Sequence, residues 1–299
     1  MQSNFDKIYP ILTDSLSEAL HVTLLVLLVM TVVEVINISS LGRKFEKLKG
    51  KPGLQILLSS IMGAIPGCAG GFIVVSLFLQ NIIVFPALVA GMIATFGDEA
   101  IFMYVTNPKM ALATSAILVP TGVITGLVIS KLQNRNLGSF PEMSLGKPVH
   151  YHKSIPAEAN FKEKAVLFLK DHVWGHIIKE HALKVFLYVF AALLVVGVAD
   201  AFWDLKGTLT QNATAQWIML VAAVIVGLLP VSGPHLVFVV MFLQGYVPFG
   251  VLIANSITQN GHAGMPLLAS SSKNFLKVKI VSMLLGFVIG TALLLVLRI

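Results

Sequence analysis

The sequence predicts an all-α membrane protein that crosses the bilayer many times, built as two inverted copies of one helical unit with broken or re-entrant helices. Three observations predict it. Only 12% of the 299 residues are charged and 56% are hydrophobic, whereas soluble domains carry about 25% charge. So little charge cannot cover a globular surface of this size, so much of that surface must face lipid. Apolar runs at residues 20–36, 73–93, 111–129, 182–198, 218–229, 237–253 and 280–297 approach the roughly 20 residues that a span requires. Finally, the chain matches itself at a displacement of 164 residues. Gly63 falls on Gly227, Pro66 on Pro230, Phe78-Leu79-Gln80 on Phe242-Leu243-Gln244, Phe85 on Phe249, Gly97 on Gly261, Gly122 on Gly286 and Gly126 on Gly290. Twelve of the 47 pairs between residues 63 and 109 and their counterparts are identical, more than shared apolar composition supplies.

The chain therefore divides into a first transmembrane repeat (1–135), a connector (136–181) and a second transmembrane repeat (182–299). Basic residues set the orientation. Arg43, Lys44, Lys47, Lys49 and Lys51 crowd the loop after the first run, and the connector and residues 273–279 are also Lys-rich. The segments 106–109 and 204–216 carry one Lys each. The positive-inside rule puts the first three segments in the cytoplasm and the last two outside. Both termini are then outside, and the two repeats are inverted. The formal charge of +7 sits in loops where topology uses it, which argues against a nucleic-acid partner. The partner expected is the lipid bilayer of a plasma (inner) membrane. The single cysteine excludes an internal disulfide.

Two interrupted segments occupy matching positions. Residues 56–65 run into Pro66-Gly67-Cys68-Ala69-Gly70-Gly71, and residues 218–229 into Pro230-Val231-Ser232-Gly233-Pro234-His235. Proline and glycine at this density break a helix. Backbone freed at membrane depth is tolerated where protein buries it or where it lines a cavity. Paired breaks in two repeats point to a binding site at the interface between them. Tight helix packing through small residues is the alternative.

A second matched pair follows: Ala94-Thr95-Phe96-Gly97-Asp98-Glu99-Ala100 and Thr258-Gln259-Asn260-Gly261-His262-Ala263-Gly264. Two adjacent carboxylates in an apolar span cost roughly 2.5–3.5 kcal/mol each on insertion scales. A function in a cavity is their default explanation, with a position near the outer surface as the alternative. Gly97 and Gly261 predict that both spans unwind there. The candidate substrate-binding residues are Asp98, Glu99, His262, His235, Gln259, Asn260, Ser232, Cys68 and Thr95, joined by Asn255. Of these, Asp98, Glu99, His262 and His235 are the candidate metal ligands. Carboxylate, imidazole and amide oxygen suit a first-row divalent cation such as manganese, iron or zinc. The carboxylates and histidines could instead relay protons. In the connector, His172, His176 and Glu180 recur at helical spacing on one face of an amphipathic segment. They could form a cytoplasmic metal site or simply a solvated face beside lipid headgroups.

Taken together, the four motifs 66–71, 97–100, 230–235 and 259–264 resemble those of a family of ten-transmembrane heavy-metal exporters, whose members carry labels such as manganese transporter or arsenic-efflux-like permease. The resemblance covers nearly the whole chain. It implies ten helices, five per half, and departs at Asn260, where similar sequences are expected to have an acidic residue. No Gly-x-x-x-x-Gly-Lys-Ser/Thr motif supplies a nucleotide engine, and no cofactor is expected. The expected function is secondary export of a divalent or heavy-metal ion, with manganese favoured and proton coupling in prospect. The alternatives are an anion or organoarsenical permease, or an intramembrane metal-dependent enzyme. The enzyme reading finds no His-Glu-x-x-His motif to support it, so the chain is read as a non-enzyme.

Overall fold

The structure is a computed structural model that describes residues 2–37, 51–67, 69–136, 182–230 and 233–297. Among these residues it is helical, with no strand. The first half comprises α1 (Gln2–Asn37), α2 (Pro52–Gly63), α3 (Ala69–Leu79), α4 (Phe85–Ala94), α5 (Asp98–Thr106) and α6 (Pro108–Asn136). The second comprises α7 (Leu183–Trp203), α8 (Leu205–Gln211), α9 (Ala213–Gly227), α10 (Gly233–Leu243), α11 (Phe249–Thr258), a 3-10 turn (Gly261–Ala263), α12 (Gly264–Ser270) and α13 (Ser272–Leu297).

Four segments are long and apolar enough to cross a membrane: Phe85–Thr106, Pro108–Gln133, Phe186–Trp203 and Ser272–Val296. The outward faces of the three outer ones carry Leu112, Ile124, Leu132, Val195, Leu284, Val288 and Val296, all exposed. In water such a surface would associate, whereas in lipid it is the expected covering. Phe85–Thr106 differs from the others, being almost wholly buried and the least apolar of the four. It forms the central segment of its half.

Two apolar runs that read as single spans are each two helices. Residues 73–93 turn between α3 and α4, and residues 237–253 turn between α10 and α11. Asn81 (φ 56°) and Gly245 (φ 77°) adopt left-handed backbone there, and Pro86 and Pro248 open the helices that follow. The chain breaks after α2 and after α9, beside Pro66 and Pro230, but the breaks are shorter than the sequence put them, because residues 69–71 already belong to α3 and residues 233–235 to α10. At 1.5 Å per residue, helices of 10 to 12 residues such as α2 and α3 reach only about 18 Å, so none crosses a hydrocarbon core of about 30 Å alone.

Packing repeats at the same displacement as the sequence. Helix α4 lies between α2 and α6, and α11 lies between α9 and α13. The close approaches use equivalent residues. A Cβ on Gly122 would strike the Ala90 carbonyl, and one on Gly286 would come within 2.7 Å of the Ala254 carbonyl. Gly126 and Gly290 would meet the Pro86 and Gly250 carbonyls, each at 2.9 Å. Without side chains there, the backbones approach closely enough for van der Waals packing to hold helices in lipid, where no hydrophobic drive exists between them. The halves also interlock. Helix α3 meets the 3-10 turn and α12 of the other half, while α10 meets α5. Helices α1 and α7 pack on each other, and this pair leans on α5 and α10.

Candidate functional site

The buried centre is made from interrupted helices. Helix α4 ends at Ala94 and α5 starts at Asp98, with residues 95–97 unwound between them. The unwinding follows from Gly97, whose backbone (φ 70°, ψ −153°) lies in a region reserved almost wholly for glycine. The Gly67 N–H donates to the Gly97 carbonyl at 3.0 Å, tying the two breaks of the first half together. In the second half α11 ends at Thr258, and Gly261 again has positive φ, at 51°. The predicted unwinding at both glycines is present.

Asp98 and Glu99 occupy the first turn of α5 and are 5% and 1% exposed. A helix N-terminus is the favourable end for negative charge. Neither Glu99 oxygen has a hydrogen-bond partner among the described residues, and a buried carboxylate left this way is costly unless a cation or proton visits it. The second half supplies the facing groups. His262 Nδ1 lies 3.9 Å from Asp98 Oδ2, with 29% of the His262 side chain exposed. Gln259 donates through Nε2 to the Thr95 carbonyl (3.3 Å) and accepts at Oε1 from the Gly261 N–H (2.7 Å). Asn260 donates to the Met92 carbonyl (3.1 Å), and its Oδ1, fully buried, has no partner. The second half thus completes the broken backbone of the first, because the carbonyls of residues 92 and 95, left without helical partners by the break, need donors that water cannot supply. Thr95 returns its hydroxyl to the Gly91 carbonyl at 2.8 Å.

His235 is also buried but belongs to a different contact. Asn255 Nδ2 donates to the Ala223 carbonyl at 2.8 Å and lies 3.4 Å from His235 Nδ1. His235 Nε2 lies 3.2 Å from the Leu229 carbonyl. A carbonyl can only accept, so Nε2 carries the proton and Nδ1 accepts from the amide. Both ring nitrogens are therefore engaged. Asp98 meets His262, and Glu99 and Gln259 flank Gly97. No three His, Cys, Asp or Glu side chains among the described residues form a group that could hold a metal ion. Ser232, Cys68, His172, His176 and Glu180 lie outside the described residues.

One buried group was misread in the sequence. Lys279, counted there with cytoplasmic loop charge, lies inside α13 and is 3% exposed. Its ammonium donates to the Gly227 carbonyl at 2.8 Å and the Thr258 carbonyl at 3.1 Å, at the ends of α9 and α11. Helix C-termini leave carbonyls without partners and favour positive charge, which is why a lysine is retained at this depth. The signal was available: Lys279 sits seven residues before Gly286 and three before Ser282, on the stripe of α13 that faces the core.

A family model described as "Putative, 10TM heavy-metal exporter" matches residues 8–206 and 184–297. The chain belongs to this family. It is thus an integral, multi-pass, all-helical member of a heavy-metal exporter family, as its motifs suggested. No curated protein and no solved structure matches it.

Gly97→Ala tests the break directly. A Cβ there would stand 2.6 Å from Glu99 Oε2, on backbone that disfavours any side chain. The substitution is expected to cost about 1–3 kcal/mol, read as a lower unfolding temperature of the purified protein, and to reduce transport by displacing Glu99.

Proposed function

We propose that this exporter moves a divalent or heavy-metal ion, manganese favoured, out of the cell by secondary transport. The observation that carries this reading is the meeting of Asp98 and Glu99 with His262 and Gln259 across the two halves, in a centre shielded from lipid. In this reading the ion is held by the Asp98 carboxylate and His262 imidazole. Glu99 and the free Asn260 amide oxygen complete a mixed oxygen and nitrogen set suited to manganese, iron or zinc. Glu99 and His262 would exchange protons for metal, since a carboxylate and an imidazole each bind either. The halves stand inverted in a plasma (inner) membrane with both termini outside. Rocking one half against the other exposes the site to each side in turn.

One observation favours a second reading. Lys279 is a buried cation with no carboxylate within ion-pair distance among the described residues. A centre containing it could instead attract an anion or organoarsenical. Flux into everted vesicles or proteoliposomes separates the two. Saturable uptake of manganese, without uptake of arsenicals, supports metal export. Arsenical uptake without any metal uptake overturns it.

A further inference from the structure

We infer that the first half holds a monovalent cation of sodium size at the carbonyls of Gly63 and Ala94, in the place that the Lys279 ammonium fills in the second half. In the second half the cation is covalently tethered: Lys279 Nζ bridges Gly227 O and Thr258 O. Displaced by 164 residues, these three positions are Ser115, Gly63 and Ala94. Part of the correspondence holds in space as well as in sequence: the contacts that set the register of α6 on α4 recur between α13 and α11. Gly122 faces Ala90 as Gly286 faces Ala254, and Gly126 faces Pro86 as Gly290 faces Gly250. Helices α2 and α4 both touch α6, as α9 and α11 both touch α13, although Gly63 approaches Gly91 and Thr95 where Gly227 approaches Thr258 and Gln259.

The first half has no ammonium there. Ser115 shares a hydrogen bond with the Tyr104 hydroxyl at 3.2 Å. Past the end of α2, the Ala64 and Ile65 amides go to Ser60 and Met62, residue 66 is proline, and the Gly67 amide goes to Gly97. No loop or capping hydrogen bond among the described residues reaches Gly63 O or Ala94 O. Side chains on these helices also differ between the halves. Ser59 and Thr114 are fully buried with unpartnered hydroxyls, whereas their counterparts are the apolar Ala223 and Val278. Glu99, whose oxygens lack partners, opens the helix that follows the same break. The second half has its own hydroxyls, Thr258 and Ser282, where the first has Ala94 and Leu118, but the first half alone combines unpartnered hydroxyls with an unbalanced carboxylate and no lysine. Carbonyl ends of broken helices are a recurring place for sodium in membrane transporters, hard oxygen donors suit a hard cation, and the single charge of the lysine sets the valence. The binding claim is independent of which cargo is exported. If the chain is a secondary transporter, this ion is the candidate for coupling.

Thermal unfolding of the purified full-length protein in detergent tests it, with sodium chloride titrated against choline chloride at constant ionic strength. The expected result is a saturable rise of several degrees with sodium. Ser115→Lys, which installs the second half's ammonium in the first, should abolish the rise in a protein that is already stable in choline. Lys279→Met should add a second saturable response. If Ser115→Lys does not fold, Thr114→Val with Ser115→Ala should weaken the sodium response at least tenfold. A midpoint identical in sodium, potassium, lithium and choline overturns the inference, as does a sodium response left unchanged in the folded Ser115 variants. Because the readout is stability, a failure here is distinct from a failure of manganese flux.

Discussion

Asp98→Asn is expected to lower metal efflux by about a hundredfold, the upper end of what losing an important group at a metal site costs, while leaving the protein folded. The reason lies in the geometry. Asp98 is the carboxylate that approaches His262 from the other half, so it serves as a bond between halves only when both can face one ion. Asparagine keeps the shape and an acceptor oxygen but removes the charge that makes a dehydrated cation stable at this depth. Unlike a gap left by alanine, it leaves no cavity, so folding should survive. Efflux from metal-loaded vesicles, with the unfolding temperature measured alongside, checks the prediction. Undiminished manganese efflux by a folded Asp98→Asn protein would remove the carboxylate from the site.

Gly122→Leu and Gly286→Leu should have the largest effects on stability. Each would drive a side chain into a backbone carbonyl of the neighbouring central helix, Ala90 in one half and Ala254 in the other. Overpacking typically costs 1–3 kcal/mol, and a carbonyl inside a helix cannot swing aside as a flexible side chain can, so at least about 3 kcal/mol is expected. The two substitutions should be alike in magnitude, because the contacts are equivalent. Gly53→Leu is the control: nothing lies within 4 Å of a Cβ there, and glycine is a poor helix former. Thermal unfolding and size-exclusion profiles in detergent should show the first two collapsing or aggregating and the third unchanged or slightly stabilised.

Much of the fold was legible because a membrane leaves few alternatives. Backbone in lipid must satisfy itself, so long apolar runs must be helices, and glycine and proline clusters must be breaks. Residues 66, 67, 97 and 261 were therefore readable as interruptions, whereas residues 69–71, expected to belong to the first break, are helical. The register of 164 residues was legible too, since Gly122, Gly126, Gly286 and Gly290 show through as matched small residues. The turns at Asn81 and Gly245 leave hydropathy untouched, and the sequence marks them only by the matched Gln80 and Gln244 that end the preceding helices.

The sequence by itself determined the class of protein, the positions of the paired breaks and the residues with chemistry to offer: Asp98, Glu99, His262 and Gln259. Periodicity and composition act along the chain, and these are local facts. Only the tertiary structure decided which of those residues meet. It paired Asp98 with His262 and placed Gln259 on Thr95, while His235 went to Asn255 and Leu229. It also moved Lys279 from a loop count to the buried ends of α9 and α11. A lysine near a helix end looks the same in sequence whether it meets headgroups or carbonyls. Which it meets depends on where the other broken helices end, and that is settled by packing across the whole domain.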